Sequence, residues 1–483
     1  MRTNGSAEPS PSPSVAVQQW TAGSLLAVLV IAVTGLVLRL LGARGDLWLD
    51  EIWSFALIEP LTSIDQIFWR VNHDNNHFLN SVYLYLIGPD ASPLIQRGLS
   101  IALGVATTVA AAATAAPHGR RAMIATSLLF AVSYPMVHYG SEARGYAGLV
   151  LFTLLSVVFL ERRLDNKRLS GTALAAAIPF GFLCHLTMIG MVAVLAIWTA
   201  WLAWQRTARV SRVVADLASI FLPALLAVLP LAACVFIGGR LFGFSVGGVS
   251  PFSIAAFAQG YGGMIRSLFG LPPWFGDWPY IVAACGLVGL SAGVWCDRRA
   301  SLYVIGIIGL PLLMAATHLP NLEFPRYFII SGTLLLLWAG EMIGRGLAAR
   351  GTARLFAVGA LAIVVSGSIS SLLQFYQYGR GSYAAMVDEM TRNGTAAYAS
   401  NSDFRTAMVV DYFAARTDRR AWLVPENRMC ADRPAWLILE GDVDKQAEHV
   451  EPTAACTLAY ERADASRHWG FSGLSWTLYR RQD

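Results

Sequence analysis

The chain has 483 residues, 55% of them hydrophobic and only 14% charged, with a mean hydropathy of +0.51 and a formal net charge of +5. That balance excludes an ordinary soluble domain and leaves a polytopic membrane protein, whose long continuous apolar runs select helices over barrel strands. The positive charge lies largely in short loops between those runs, so it bears on topology and gives no support to a nucleic-acid partner.

Residues 1–20, rich in Ser and Pro with no basic cluster before a short apolar stretch, are expected to form a disordered cytoplasmic tail and not a cleaved signal peptide. Hydrophobic length and flanking charge place spans at 21–43, 93–116, 122–140, 145–160, 171–190, 188–204, 215–237, 280–296, 301–317, 327–343 and 355–373, about eleven in all. The fifth and sixth overlap, so one boundary between them is misplaced. With the N-terminus inside, the basic loops at 118–121, 161–168, 204–212, 296–300 and 345–354 all fall on the cytoplasmic side. The odd count sends the C-terminus outside. The chain is therefore expected in the inner (cytoplasmic) membrane, with a catalytic membrane domain over 21–375 and an extracytoplasmic domain over 376–483.

The same alternation leaves 44–92, 141–144, about 238–279, 318–327 and everything after 374 on the outer face. In the first outer loop, Asp50 and Glu51 follow Trp48 in LWLDEIW, and Trp53, Phe68, Trp69, Phe78, Tyr83 and Tyr85 suit short helices lying in the interface. A solvated loop or a helix N-terminus accounts for the two acids as readily as chemistry does. Further polar groups converge on that face: His73 and His77 in NHDNNH, Glu142, Arg144 and Tyr146 in SEARGY, His185 in FLCHLTM, and Arg326 with Tyr327 in FPRY. Ionisable groups at membrane depth are candidates for function by default. Asn75, Asn76 and Asn80 are expected to order the loop through side-chain to backbone bonds.

An Asp-Glu pair after the first span, a His-containing polar run leading into a Leu/Tyr helix, a small-residue span, then S-x-x-R-x-Y and a later R-Y resemble the GT-C glycosyltransferases. More narrowly they are similar to the branch of protein O-mannosyltransferase-like and aminoarabinose transferase-like (ArnT-like, family 39) enzymes. The match covers about 20–190 well and the remainder only in its pattern of spans and FPRYF. It implies an all-α GT-C-like membrane fold with a small C-terminal α/β domain. It also implies transfer of a sugar from a polyprenyl phosphate to a lipid, glycan or protein acceptor on the outer face. Asp50 matches the family's acidic residue, the general base or acceptor-orienting group, with Glu51 as its catalytic neighbour or structural support. His77 stands where the family carries H-P-P-L, without the prolines.

In such a transfer one group takes the acceptor proton while others hold the charge growing on phosphate. Arg144 and Arg326 suit phosphate, and His77, His73, His185, Glu142 and Tyr327 complete the substrate-binding set. Interface anchoring or snorkelling accounts for the arginines as well. Asp, Glu and His lie together, so a divalent metal is conceivable, yet no metal-ligand spacing supports assigning one. There is no 20–50-residue repeat, P-loop or dinucleotide fingerprint.

After about 376 the hydrophobic runs shorten to strand length around one helical stretch, DFRTAMVVDYFAAR, the mark of a small α/β domain. It holds Cys430 and Cys456, expected to form a disulfide in an oxidising compartment, while Cys184, Cys234, Cys285 and Cys296 read as buried or inner-side residues. The rival readings are a transporter or flippase of lipid-linked sugars and a noncatalytic scaffold. A transporter should set its charges near mid-bilayer in two related halves.

Overall fold

The computed structural model describes residues 20–165, 168–295, 297–453 and 456–482. The expected disordered tail, save Trp20, and Cys296 lie outside them. The chain is predominantly helical and ends in a small mixed sheet. Among the described residues seven helices are long and apolar enough to cross a membrane: Ala22–Gly42, Gly98–His118, Met188–Thr207, Val210–Phe242, Arg298–Ala316, Pro325–Ala348 and the run beginning at Thr352. Shorter apolar helices occupy Phe78–Ile87, Leu169–Cys184 and Trp278–Val294. This is a multi-pass membrane protein, and its lipid-facing helices expose Leu25, Leu29, Leu226, Phe236, Val282 and Phe356 to what would be solvent in water.

Several expectations change in detail. The overlap between the fifth and sixth spans resolves as a helix ending at Cys184, a turn at His185–Thr187 and a new helix from Met188. The third span is broken into Arg120–Val132 and Tyr134–Tyr139, because Pro135 has no N–H to offer the Ala131 carbonyl. Arg39, fully buried in the first span, donates there instead, from Nη2 to the Phe130 carbonyl at 3.1 Å and from Nη1 to that of Ala131 at 3.5 Å. The stretch 238–279, read as a segment between spans, contains the helix Ile254–Leu268, whose Phe257, Tyr261, Met264 and Leu268 are core residues. Arg299, read as a basic flank of an inner loop, is buried and paired with Glu161 and Glu341. Its charge is spent inside the protein.

The C-terminal sheet has the order β2-β1-β3-β6-β5-β4, with β1 (Ala396–Ser400), β2 (Ala421–Leu423), β3 (Trp436–Glu440), β4 (His449–Val450), β5 (Ala459–Ser466) and β6 (Trp476–Gln482). The pairs β1/β2 and β1/β3 are parallel and the rest antiparallel. The helix Asp403–Arg416, in the stretch the sequence marks as helical, crosses between β1 and β2. A disulfide joins Cys430 and Cys456.

This unit does not stand apart. Val409, Val410 and Phe413 from its helix, with Tyr383, Met386 and Val387, share one hydrophobic core with Trp48, Ile52, Phe55 and Ile58 of the loop after the first span. Burial of one such side chain is worth about 1.5–3 kcal/mol, so a layer of this size clamps that loop between the bundle and the sheet.

Candidate active site

The helix Leu49–Ile58 places Asp50 and Glu51 in its first turn, where free N–H groups favour negative charge. One residue apart on a helix, the two side chains point in different directions and meet different partners.

Glu51, expected as a second catalytic acid, is completely buried and held on every side. Oε1 accepts from Arg97 Nε at 2.8 Å and the Ala143 amide at 2.7 Å; Oε2 accepts from Arg97 Nη2 at 2.6 Å and the Trp48 amide at 3.1 Å. Burial pushes its carboxyl up, but the Arg97 guanidinium and the Ala143 amide prevail and hold it below the usual range. Both oxygens are held by protein donors, and the carboxylate brackets Arg97 to the amides of Trp48 and Ala143. Arg97 completes that bracket by donating to the carbonyls of Ala43, Gly45 and Asp46.

Asp50 is the opposite case. Oδ2 lies 2.6 Å from Arg144 Nη1 and 3.4 Å from Arg326 Nη1, its side chain is 15% exposed, and Oδ1 accepts no hydrogen bond among the described residues. Arg144 is fixed at three more points. Nη2 donates to Asn75 Oδ1 at 2.6 Å, Nε donates to His77 Nε2 at 3.2 Å, and the guanidinium lies over the Tyr146 ring at 5.0 Å. Burial alone would lower its pKa, but Tyr146, Asp50 and Glu142 raise it, so it stays charged. Arg326 stacks on Phe324 at 4.6 Å and is more open, at 22% exposure.

The two central histidines meet, with ring centroids 4.7 Å apart. Burial, then the neighbouring His185 and arginines, holds His77 well below its ordinary pKa, and burial with Arg144 and Arg326 lowers His185 to about 3. Both are neutral. His77 Nε2 accepts from Arg144, and His185 Nδ1 accepts from the Thr187 amide at 3.2 Å, so the His185 proton is on Nε2. Gly145 makes this approach possible, since a Cβ there would stand 1.8 Å from the Cys184 carbonyl oxygen. The folded state therefore binds fewer protons than the unfolded chain between about pH 3 and 6.5. Stability is fully present above that window and falls as pH drops through it. His185→Gln is expected to flatten the fall of the unfolding midpoint between those limits; an unchanged profile would show that His185 is solvated.

The remaining candidates sit around this centre. Glu142 is buried, accepting from Trp48 Nε1 at 2.8 Å and lying 3.8 Å from Arg144 Nη1; burial raises its pKa against the pull of Arg144 and Arg380. The Tyr327 hydroxyl accepts from Asn321 Nδ2 at 3.5 Å. His73 Nδ1 lies 2.9 Å from Asp74 Oδ1 and 3.0 Å from the Asn75 amide nitrogen, and its ring packs on Trp53. Asn75, read as a loop-orderer, does more. Its amide donates to the Asp50 carbonyl and to Ser54 Oγ while its oxygen holds Arg144. Asn76 and Asn80 do bond to backbone, at Ile67, Val71 and Ala143. Arg97 was missed altogether; its signal is a basic residue at the outer mouth of a span with no acid near it in sequence.

Among the described residues no three His, Cys, Asp or Glu side chains gather as a metal site. Asp50 faces two guanidinium groups, surroundings unsuited to a cation.

No family model and no curated protein matches this chain. Solved structures do. ArnT from Cupriavidus metallidurans in the apo state is similar over 95% of this chain and 98% of its own, with a TM-score of 0.51 and 14% identity. The oligosaccharyltransferase AglB from Archaeoglobus fulgidus, in complex with an inhibitory peptide and a dolichol-phosphate, is similar over 87% of this chain and 69% of its own, with a TM-score of 0.50 and 10% identity. The apo form of the Archaeoglobus enzyme gives a TM-score of 0.51 at 10% identity, and this chain covers 64% of it. The chain has the GT-C fold. Within that fold the loop after the first span, the SEARGY stretch and the FPRY segment meet at the Asp50 side chain.

Proposed function

We propose that this protein is an inverting glycosyltransferase that moves a sugar from a polyprenyl-phosphate carrier to an acceptor hydroxyl at the outer face of the cytoplasmic membrane. The observation that carries the reading is the Asp50 carboxylate, with one oxygen gripped by Arg144 and the other open. The dolichol-phosphate in the AglB complex supports the carrier class by likeness of fold.

Asp50 Oδ1 takes the acceptor proton as the acceptor oxygen forms the new bond to the anomeric carbon; the carbon–phosphate oxygen bond breaks and polyprenyl phosphate leaves with its electron pair. Single displacement inverts the anomeric centre. Arg144 is already committed to Asp50, Asn75 and His77, so its role is to orient the base. Arg326, more exposed and more weakly held, takes the phosphate charge, and the His185 Nε2–H donates to substrate oxygen. Tyr327 and His77 shape the pocket, and His73 only buttresses the loop.

About eleven crossings fit this chain. They are the seven long helices with Arg120–Val132 and Tyr134–Tyr139 as one broken span, Tyr146–Leu164, Leu169–Cys184 and Trp278–Val294. The Cys430–Cys456 disulfide supports an oxidising, extracytoplasmic C-terminus. Maleimide added to denatured, unreduced protein from cells is expected to leave both unlabelled. Labelling at both positions would place them in the cytoplasm.

The purified protein, offered a panel of polyprenyl-phosphate sugars and lipid or glycan acceptors, is expected to release polyprenyl phosphate with at least one pair. No release with any donor, together with movement of a lipid-linked sugar across vesicles, would favour the flippase reading.

A further inference from the structure

The segment joining β5 to β6 leaves the sheet and enters the membrane domain. Trp469 packs edge-on against Tyr134 at 4.8 Å, and Phe471 stacks on Tyr139 at 5.8 Å. The fit is tight: Gly470 has φ +109°, and a Cβ on it would stand 1.8 Å from the Tyr134 hydroxyl oxygen. The next residue, Ser472, is 2% exposed. Its hydroxyl lies 2.9 Å from His138 Nε2 and 3.2 Å from Glu142 Oε2.

One set of proton positions satisfies the whole chain. The Phe471 amide donates to the Tyr134 hydroxyl at 3.3 Å, so that hydroxyl donates to His138 Nδ1 at 3.1 Å. His138 then carries its proton on Nε2 and donates to Ser472 Oγ, which donates to Glu142. Glu142 is the link to the candidate base, because its Oε1, held by the Trp48 indole, stands 3.8 Å from the same Arg144 Nη1 that grips Asp50 at 2.6 Å. Two acids thus compete for one guanidinium nitrogen. Trp48 and Ser472 each engage one Glu142 oxygen and hold the carboxylate where it is, so less of its acceptor capacity is left to draw Arg144 away.

We propose that the tip of this hairpin completes the catalytic centre, with Ser472 a positioning residue that holds Glu142 and thereby leaves Arg144 on Asp50. The C-terminal unit is then a part of the site and not a cover over it. This rests on the transfer reading above.

The test uses the full-length protein and two readouts, turnover and hydrogen exchange of the 141–146 peptide without substrate. Ser472→Ala is expected to lower kcat about tenfold with KM for the donor unchanged, the size of one lost hydrogen bond to a charged group, and to speed exchange at 141–146. Arg467→Ala, on the half-exposed neighbour paired with Asp444, is expected to match wild type in both. Unchanged exchange at 141–146 in Ser472→Ala overturns the proposal whatever the turnover. If exchange also rises throughout the C-terminal unit, Ser472→Thr decides, since recovery by the retained hydroxyl supports positioning and failure to recover overturns it. Wild type that turns over no donor, while Ser472→Ala still loosens 141–146, sinks the transfer reading and leaves the positioning role standing.

Discussion

Asp50→Asn is expected to lower kcat for sugar transfer by on the order of 10³, within the range contributed by a general base, with little change in the unfolding midpoint. The amide keeps an oxygen for Arg144 Nη1 and the side chain is partly exposed, so the fold loses one charge and no packing. Asp50→Glu keeps the acid but displaces it by one methylene, and misplacement of a reacting group by about 1 Å costs on the order of 10²-fold. Release of polyprenyl phosphate from its best donor, followed over the pH range where wild type is stable, reads both. Wild-type turnover by Asp50→Asn would remove the base assignment and turn attention to the neutral histidines beside it.

Glu51→Ala, one residue away, is expected to fail in the opposite manner. Removing one partner of a buried, fully hydrogen-bonded pair leaves the other charge stranded, at a cost of about 3–5 kcal/mol. Arg97 would keep only the carbonyls of Ala43, Gly45 and Asp46, and the amides of Trp48 and Ala143 would lose their acceptor. The expected result is a large drop in the unfolding midpoint in detergent and poor recovery from the membrane. Arg97→Leu combined with Glu51→Leu is not expected to restore stability, because three carbonyls lose their donor with the arginine. A Glu51→Ala protein that unfolds like wild type yet cannot turn over would return Glu51 to the chemistry.

The contrast between these neighbours marks where sequence reasoning stops. Two acids in LWLDEIW look alike in composition, and only the helix Leu49–Ile58 gives them different directions. The partner that separates them, Arg97, is distant in sequence and resembles an ordinary span-flanking charge. The histidines divide likewise. His77 and His185 come together because Gly145 admits the Cys184 carbonyl, whereas His73, equally prominent in NHDNNH, faces Trp53. Asn75 and Ser472 carry no sequence signal, since a single neutral polar side chain gains a role only from what it touches.

Hydrophobic length and the clustering of outer polar groups were legible without coordinates, because a bilayer demands about 20 apolar residues per helical crossing and penalises every charge it buries. Those constraints are local in the chain, so sequence alone pointed to a helical membrane protein and to Asp50, Glu51, His73, His77, Glu142, Arg144, His185, Arg326 and Tyr327 as candidates for one site. That Asp50 Oδ1 accepts no hydrogen bond among the described residues, that Glu51 is buried on Arg97, and that a hairpin more than 300 residues away reaches Glu142 were decided by tertiary structure alone. Hydrogen bonds act over about 3 Å, and only the fold brings residues of such different sequence position within that distance.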